Sequence, residues 1–451
     1  MTESKSTLPL RLKWLYSTGD LSTSAPLAIV SFFQLYFLTD VAGLRPDYAA
    51  WAVAAGRLWD AVNDPLFGLF SDRLRARWGR RRVLLLFGAA PLGVSFALLW
   101  WVPPLSPGWL AVYYAAAFIL FDTAYTAVHV GYNALTPELT DDYDERSSLN
   151  GYRMVFSIGG ALGAIIVATV LGWQIADARQ LYLTLGVGLG LLAIVPPLIV
   201  FTVTRGRESP APAHSLPPLT ALRATLRNFP FRMVTGLYLL SWTTASLLSA
   251  VLVYYATYYL RVPEQANYFV LAAQGSAIAF VPAVVGLARR WDKRRAFIVG
   301  TAAWGGVLLG IAALRPDQVA LAYGLAALSG LGIATAYVLP WAMVPDIIEH
   351  DQLQTGERRE GSYYAFIAFF QKLGTGAALW AMGQALAWAG YQTPAAGLGL
   401  EQPAAAVLAI RLFAGPVPAV LLAGAIAFAW AYPITRASHQ ATVAVLVGRG
   451  D

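Results

Sequence analysis

Residues 57–82 read RLWDAVNDPLFGLFSDRLRARWGRRR, an apolar run that carries Arg57, Asp60 and Asp64 and ends in a cluster of arginines. The apolar part extends back to about residue 48, and a membrane-spanning helix needs about 20 predominantly apolar residues. Basic residues concentrate in the loops that stay on the inner side of a membrane. The stretch therefore predicts a transmembrane helix with charged groups inside it, followed by an inner loop.

The whole chain shares this apolar character. Of its 451 residues, 57% are hydrophobic and 13% are charged, whereas a soluble domain has roughly 25% charged residues. The mean hydropathy of +0.55 shows that the apolar excess is general. This composition excludes an ordinary cytosolic enzyme, a disordered protein and a fibrous protein, which leaves an integral membrane protein.

Apolar runs of spanning length recur along the chain. They are too long and unbroken for the strands of a membrane barrel, which have about 10 residues of alternating polarity. We therefore predict an all-α integral membrane protein with twelve transmembrane helices near residues 14–39, 48–71, 83–103, 108–137, 150–175, 181–204, 230–260, 266–288, 296–314, 317–348, 361–390 and 407–434.

The distribution of basic residues predicts the orientation. With both termini in the cytoplasm, 24 of the 32 Lys and Arg residues lie on the inner side, and five lie in outer loops. The net charge of +7 is then an orientation signal, and we expect no nucleic-acid partner. Residues 1–13 lack the apolar core of a signal peptide, and the absence of cysteine excludes disulfides and thiolate metal sites. We expect a multi-pass protein of the cell membrane.

The longest polar stretch, residues 205–229, is rich in proline and basic residues. We predict that it is a cytoplasmic linker between two six-helix halves, residues 1–204 and 230–451. The halves echo each other, because a glycine, an aspartate and a basic cluster follow both span two and span eight. Such repeats are typical of secondary transporters, which bind substrate between repeats near the midplane.

Charged residues inside a span are costly and indicate function. Asp60 and Asp64 are four residues apart and share one helix face with Arg57, and Asn63 lies beside them. Two carboxylates and an amide oxygen form a hard oxygen site suited to Na⁺ or H⁺. Pro65 can free backbone carbonyls as further ligands. The alternative is that Arg57 merely neutralises one acid of a buried pair.

Residues 57–82 closely resemble the signature of the melibiose-permease family, the glycoside–pentoside–hexuronide:cation symporters of the major facilitator superfamily. The segments 16–20 and 36–44 fit the first span of that family, and the resemblance runs from about residue 10 to 435. It implies the major facilitator fold of twelve helices in two halves. It also implies that the Na⁺ ligands of the family fall on Asp60, Asn63, Asp64 and Thr126.

The only lysine inside a span is Lys372. A buried ammonium group needs a counter-charge or loses its proton. The family has a lysine at this place in span eleven, which implies that Lys372 faces Asp60 or Asp64 when the site lacks a cation. The alternative is a lysine that extends to the membrane interface.

Two charged residues resemble the family positions that bind galactoside hydroxyls, namely Asp20 in span one and Arg153 in span five. Carboxylate and guanidinium groups suit sugars because each makes two directed hydrogen bonds. The sequence departs from the sugar pattern at His129, where the melibiose permeases carry an aspartate, and at Asn133, where they carry a stacking tryptophan. His129 can also be a satisfied interior histidine, and Asp122 has no expected role beyond a structural pair.

Residues 129–154, 339–346 and 390–393 resemble another branch of the family, the animal sodium-dependent lysophosphatidylcholine symporters. A polar pocket near Asp20 and Arg153 would indicate a sugar, and an apolar slot open to the side would indicate a lipid. We keep sugar as the main expectation and lysolipid as the alternative. The predicted substrate residues are Asp20, His129, Asn133, Arg153, Trp341 and Lys372.

The basic clusters at 73–82 and 289–295 look like the cytoplasmic loop motif of the superfamily, which links neighbouring helices. The resemblance makes Asp72 and Arg73 gating candidates. The simpler interpretation is that these residues only keep positive charge inside.

The main hypothesis is a monomeric, cation-coupled symporter that works by alternating access, with Na⁺ preferred over H⁺ and no other cofactor. A membrane enzyme would need a nucleophile or metal cluster near an interface, and the sequence offers none. A receptor or scaffold without transport would leave the charges within the spans without a role.

Overall fold

The computed structural model describes residues 8–73, 78–79, 81–140, 142–206, 225–355, 360–394 and 401–448. Regular secondary structure in these ranges is entirely helical, which confirms the all-α prediction. The α-helices of these ranges are α1 (Leu10–Ser17), α2 (Gly19–Tyr36), α3 (Pro46–Arg73), α4 (Arg82–Leu99), α5 (Pro107–Leu139), α6 (Tyr143–Gln174), α7 (Ala178–Val203), α8 (Phe229–Tyr254), α9 (Ala266–Trp291), α10 (Lys293–Ala313), α11 (Val319–Thr355), α12 (Glu360–Trp388), α13 (Ala404–Ala414), α14 (Pro416–Ala431) and α15 (Arg436–Gly448).

Eleven helical segments of the described chain are long and apolar enough to cross a membrane. The second predicted span, α3, is a further helix of 28 residues. Its apolar run is interrupted by Arg57, Asp60 and Asp64, which lower its apolarity below that of the other spans. Together these segments make up the predicted twelve-helix architecture.

Two spans expected to be continuous are broken. The first consists of α1 and α2 with a break at Thr18, and the last consists of α13 and α14 with a break at Gly415. A Cβ atom at Gly19 would lie 2.5 Å from the Tyr132 ring, and one at Gly415 would lie 2.5 Å from the carbonyl oxygen of Leu308. Glycine is therefore required at both breaks by close packing, which an apolarity count does not detect. The helix α15 was also not predicted.

The described helices form two compact units, α1–α7 and α8–α15. Corresponding helices pack in the same pairs in each unit. In the first unit, α2 packs against α6 and α7, α3 against α5, and α4 against α5 and α7. In the second unit, α8 packs against α12 and α14, α9 against α11, and α10 against α11 and α14. This equivalence supports the internal duplication read from the sequence. The boundaries 1–204, 205–229 and 230–451 stay predictions.

The C-terminal ends of α2 and α8 repeat in detail. Each helix continues into one turn of π-helix, Phe37–Val41 and Tyr255–Tyr259. Each turn is followed by a residue in the left-handed region, Gly43 with φ of 77° and Arg261 with φ of 59°. The left-handed conformation is strained for a residue with a side chain. Arg261 nevertheless adopts it, at the position that corresponds to Gly43 in the first unit.

Each unit has a buried core of its own and a large apolar surface. In the second unit, Phe231, Leu237, Met343 and Tyr363 join α8, α11 and α12 in one buried cluster. Large side chains such as Trp388, which is 83% exposed, lie on the outside. Exposed apolar patches of this extent suit helices that face lipid.

Candidate functional site

The predicted cation residues lie where α3 and α5 approach closely. A Cβ atom at Gly56 would overlap the Phe118 ring, so this glycine allows the two helices to meet. One turn further along, the indole Nε1 of Trp59 donates a hydrogen bond of 2.8 Å to Oγ1 of Thr123. The close contact and this bond fix the register of α3 on α5, and thereby the positions of the acidic residues that follow.

Two of the predicted cation ligands are in direct contact. Oγ1 of Thr126 donates a hydrogen bond of 3.0 Å to Oδ1 of Asp64. Asp60 and Asn63 are buried in the same segment of α3, at 5% and 1% exposure. Arg57 Nη1 lies 4.0 Å from Asp60 Oδ2, a looser contact than a hydrogen-bonded ion pair. The arrangement offers carboxylate, amide and hydroxyl oxygens, which are ligands for a hard cation.

Asn63 is turned towards Asp122, one turn before Thr126 on α5. Its Nδ2 donates to Oδ2 of Asp122 at 3.2 Å and to the backbone oxygen of Asp122 at 3.3 Å. Asp122 is 5% exposed. The structure thus gives Asp122 a partner in the predicted cation site.

The predicted substrate residues of the first unit form one network around Arg153. Its Nε donates to Oδ2 of Asp20 at 2.9 Å, and its Nη2 donates to Oδ1 of Asp20 at 3.1 Å. The pair is therefore bidentate, which is the strongest geometry for these groups. Arg153 also donates to Asn133 Oδ1 at 2.6 Å and to Thr136 Oγ1 at 2.8 Å.

Two tyrosines that sequence reasoning missed complete this network. The hydroxyl of Tyr132 donates to Asp20 Oδ2 at 2.7 Å, and Arg153 Cζ lies 4.4 Å from the centre of the Tyr132 ring. The hydroxyl of Tyr16 donates to the backbone oxygen of Tyr132 at 2.7 Å and lies 2.8 Å from Thr136 Oγ1. Asp20 and Arg153 are thus held by protein groups on several sides.

The histidine that departs from the sugar pattern extends the same network. His129 Nε2 lies 2.8 Å from Nδ2 of Asn133, and the Tyr125 ring stacks on the imidazole at 5.3 Å and 15°. Because Asn133 Oδ1 accepts from Arg153, its Nδ2 must face His129. His129 Nε2 therefore accepts a hydrogen bond, which requires a neutral imidazole protonated at Nδ1.

One face of α5 serves both networks. The residues that make the contacts described above are spaced four, three, four and three apart, which places them on one helix face. Thr126 on this face contacts Asp64, and Asn133 contacts Arg153, so both networks lie against the same helix. The residues of this α5 face are Asp122, Thr126, His129, Asn133 and Thr136.

The predicted substrate residues of the second unit, Trp341 and Lys372, lie on α11 and α12 near the aromatic side chains of Tyr238 and Tyr364. Trp341 Nε1 donates to the hydroxyl of Tyr238 at 3.0 Å, and the Trp341 ring stacks on Tyr364 at 5.7 Å and 12°. The Tyr238 hydroxyl donates to Oε1 of Gln371 at 3.0 Å, directly before Lys372 on α12. Trp341 is 36% exposed, so part of its side chain is not covered by protein. The approach of Lys372 to the acids of α3 stays a prediction.

The gating candidates Asp72 and Arg73 end α3, but their side chains lie outside the described residues. The corresponding aspartate of the second unit, Asp292, lies between α9 and α10. Its Oδ1 accepts from the backbone N–H of Arg294 at 3.2 Å, and its Oδ2 accepts from that of Arg436 at 2.9 Å. This copy of the motif ties helix ends together, as expected for the loop motif, and the role of Asp72 and Arg73 stays a prediction.

Comparison with known proteins identifies the family. A family model described as MFS/sugar transport protein matches residues 15–436. The chain belongs to this family. An uncharacterized symporter of Synechocystis sp. is 32% identical to this chain over 95% of the chain and 94% of its own length. Sodium-dependent lysophosphatidylcholine symporter 1 of Gallus gallus is 27% identical over 96% of the chain and 88% of its own length.

The membership of the chain in the MFS/sugar transport family confirms the resemblance seen in residues 57–82. The solved structure of the nucleoside transporter NupG superposes with a TM-score of 0.62, covering 93% of this chain and 98% of its own, at 13% identity. At that identity the likeness shows the fold alone. Together with the family match, it confirms the major facilitator architecture of the chain.

Proposed function

We propose that the chain is a cation-coupled secondary symporter that moves a hydroxyl-bearing solute of the glycoside type by alternating access. The observation that carries the proposal is the shared face of α5. Thr126 on this face contacts Asp64 of the cation site, and Asn133 on the same face contacts Arg153 of the substrate network. A displacement of α5 on cation binding would then move Asn133 and alter its hydrogen bond to Arg153. Because coupling is reciprocal, substrate must also strengthen cation binding.

Na⁺ is the proposed coupling ion and the only cofactor. The ligands would be Asp60, Asn63, Asp64 and Thr126, because two carboxylates with an amide and a hydroxyl oxygen offer a coordination shell. A proton needs only one carboxylate, so the buried amide and hydroxyl would have no use in a pure proton site. Charge within the spans also has to be compensated, and Na⁺ together with Arg57 would balance the two acids.

The hydrogen-bonding groups favour a sugar-like substrate. Asp20 and Arg153 are now hydrogen-bonded to each other. When these bonds break, each side chain can instead make two directed hydrogen bonds to neighbouring hydroxyls of a sugar. Trp341 is 36% exposed, and an indole ring can pack against the C–H face of a pyranose. In this proposal His129 and Asn133 set the substrate preference, since they hold Arg153 in place.

A lysophospholipid is the second candidate substrate. The specific observation in its favour is the similarity over 96% of the chain to a symporter named for lysophosphatidylcholine. In this case Asp20 and Arg153 would hold the zwitterionic headgroup.

The setting of the transporter follows from the same features. We propose a multi-pass protein of the cell membrane with both termini in the cytoplasm, as the distribution of Lys and Arg indicates. It would act as a monomer with the lipid bilayer, the solute and the cation as its partners. It would carry out transport without changing its substrate chemically.

Uptake into proteoliposomes tests the proposal. Purified protein is reconstituted into proteoliposomes, across which an Na⁺ gradient, an H⁺ gradient or no gradient is imposed. Under each condition, uptake of labelled glycosides is compared with uptake of labelled lysophosphatidylcholine. We expect Na⁺-driven uptake of a glycoside that is abolished by Asp64→Asn and strongly weakened by Arg153→Lys. Uptake that ignores both gradients and survives Asp64→Asn would refute coupled symport, and Na⁺-driven uptake of the lipid alone would establish the second candidate.

A further inference from the structure

Asp122 is a buried carboxylate that the proposed mechanism does not use. It lies in the middle of α5 at 5% exposure. An ionised carboxylate away from water is unfavourable without hydrogen-bond donors, so its contacts carry information about its role. One donor to this carboxylate is Nδ2 of Asn63, which lies 3.2 Å from Oδ2 of Asp122.

The contact fixes which way the Asn63 amide points. Nδ2 also lies 3.3 Å from the backbone oxygen of Asp122, and a backbone carbonyl can only accept hydrogen bonds. The edge of the amide that faces Asp122 is therefore the NH₂ group. The carbonyl oxygen Oδ1 of Asn63 lies on the opposite edge, away from Asp122.

The carbonyl oxygen on that opposite edge is left with unused bonding capacity. Asn63 is 1% exposed, and no N–H or O–H group in the described part of the chain donates to its Oδ1. An amide oxygen that accepts no hydrogen bond keeps its lone pairs available to coordinate a cation. The adjacent residue, Asp64, is already engaged with Thr126.

The two contacts between the helices are in register. Asn63 and Asp64 are consecutive on α3, and Asp122 and Thr126 are one turn apart on α5. The described residues contain no group of three or more acidic, His or Cys side chains that could hold a metal ion. Asp122 contacts the amide nitrogen of Asn63, whereas Thr126 contacts the carboxylate of Asp64.

We propose that Asp122 is a positioning residue for the coupling cation, which acts by holding the Asn63 amide with Oδ1 presented to the ion. The inference rests on the proposed Na⁺ site and adds a residue to it. Without the carboxylate, the amide keeps only its bond to the backbone oxygen, so the ligand is less firmly placed. Na⁺ affinity then falls while the other ligands, and the path of the substrate, stay intact.

The test is the Na⁺ dependence of uptake by Asp122→Asn in proteoliposomes. We expect the Na⁺ concentration for half-maximal uptake to rise about tenfold, with the maximal rate at saturating Na⁺ within about twofold of wild type. The decisive variant is Asp122→Asn combined with Asn63→Ala, which should be no weaker for Na⁺ than Asn63→Ala alone. The control Asp47→Asn, which replaces an acid at the start of α3 paired with Arg45, should leave Na⁺ dependence unchanged.

Each other outcome has a defined meaning. Additive losses in the double variant would show that Asp122 acts directly on the ion and would overturn the positioning role, as would unchanged Na⁺ dependence in Asp122→Asn. Should Asp122→Asn not reach the membrane, the swapped pair Asn63→Asp with Asp122→Asn keeps one carboxylate and one amide, and it must recover Na⁺-dependent uptake. Asp64→Asn is measured alongside and should lose Na⁺ coupling. Na⁺ coupling that persists in Asp64→Asn would refute the proposed function itself.

Discussion

Thr126 on α5 donates a hydrogen bond of 3.0 Å to Oδ1 of Asp64 on α3. Thr126 has no exposed surface, so the bond forms away from bulk water, where it is electrostatically stronger. A hydroxyl that donates to a carboxylate still has lone pairs for a cation. The contact therefore joins a ligand of one helix to a ligand of the other.

We predict that Thr126→Val raises the Na⁺ concentration for half-maximal uptake at least about fivefold, because valine keeps the shape but removes both the donor to Asp64 and a ligand oxygen. Thr126→Ser retains the hydroxyl and should stay within about twofold of wild type. Na⁺ titration of uptake in proteoliposomes measures both. A valine variant with the Na⁺ dependence of wild type would show that this hydroxyl contributes nothing to cation binding.

The substrate network depends on a neutral His129. Its Nε2 accepts from Asn133, which in turn accepts from Arg153. We predict that His129→Gln, whose side-chain oxygen can accept the same bond, keeps the substrate KM within about threefold, whereas His129→Lys raises it about tenfold. The lysine would present a donor to Nδ2 of Asn133 and displace the amide from Arg153. Equal KM values for the two variants would contradict the chain of hydrogen bonds.

The prediction of the cation residues on α3 rests on local spacing. Asp60, Asn63 and Asp64 lie within five positions, so the helical period alone places them together. The contact of Asp64 with Thr126 spans 62 positions and came from the family resemblance, not from spacing. A motif from a known fold carries information about such distant contacts.

The missed residues were those whose role comes from packing between distant segments. Tyr132 reaches Asp20 across 112 positions because Gly19 allows α2 to lie against its ring. A tyrosine in an apolar span is indistinguishable by composition from one at the membrane interface. Asp122 was recognised as an acid within a span, but its partner Asn63 becomes apparent only when α3 and α5 are placed side by side.

The start of the chain is attached by an ion pair that responds to pH. Lys13 Nζ lies 2.9 Å from Oε2 of Glu145, which also accepts from the backbone N–H of Leu8 at 3.0 Å. The bonds from Lys13 and then Leu8 hold the pKa of Glu145 below its ordinary value of 4.5, against the opposing effects of desolvation and of the charge on Asp142. The ionised form is therefore the one that the folded protein favours.

It follows that the stabilisation from this carboxylate is fully present above its ordinary pKa and is lost as the pH falls through the lowered value. We predict that Lys13→Gln lowers the melting temperature by an amount that is constant from about pH 8 to pH 5 and that shrinks towards zero in more acidic buffer. Thermal unfolding in detergent across this range measures the difference. A difference that grows on acidification would contradict the ion pair.

The approach of α3 to α5 depends on Gly56, where a side chain would overlap the Phe118 ring. We predict that Gly56→Ala destabilises the protein by about 1–3 kcal/mol, because an extra methyl group forces two well-packed helices apart. Gly163→Ala is the matched control, since a Cβ atom there meets nothing within 4 Å and alanine is the better helix former.

Gly56→Ala should also weaken Na⁺ dependence, because Asp64 moves away from Thr126. Phe118→Ala in the same chain should partly restore both stability and Na⁺ dependence. Thermal unfolding and Na⁺ titration of the three variants test this, and a Gly56→Ala protein as stable and as Na⁺-sensitive as Gly163→Ala would show that close packing at Gly56 does not set the geometry of the cation site.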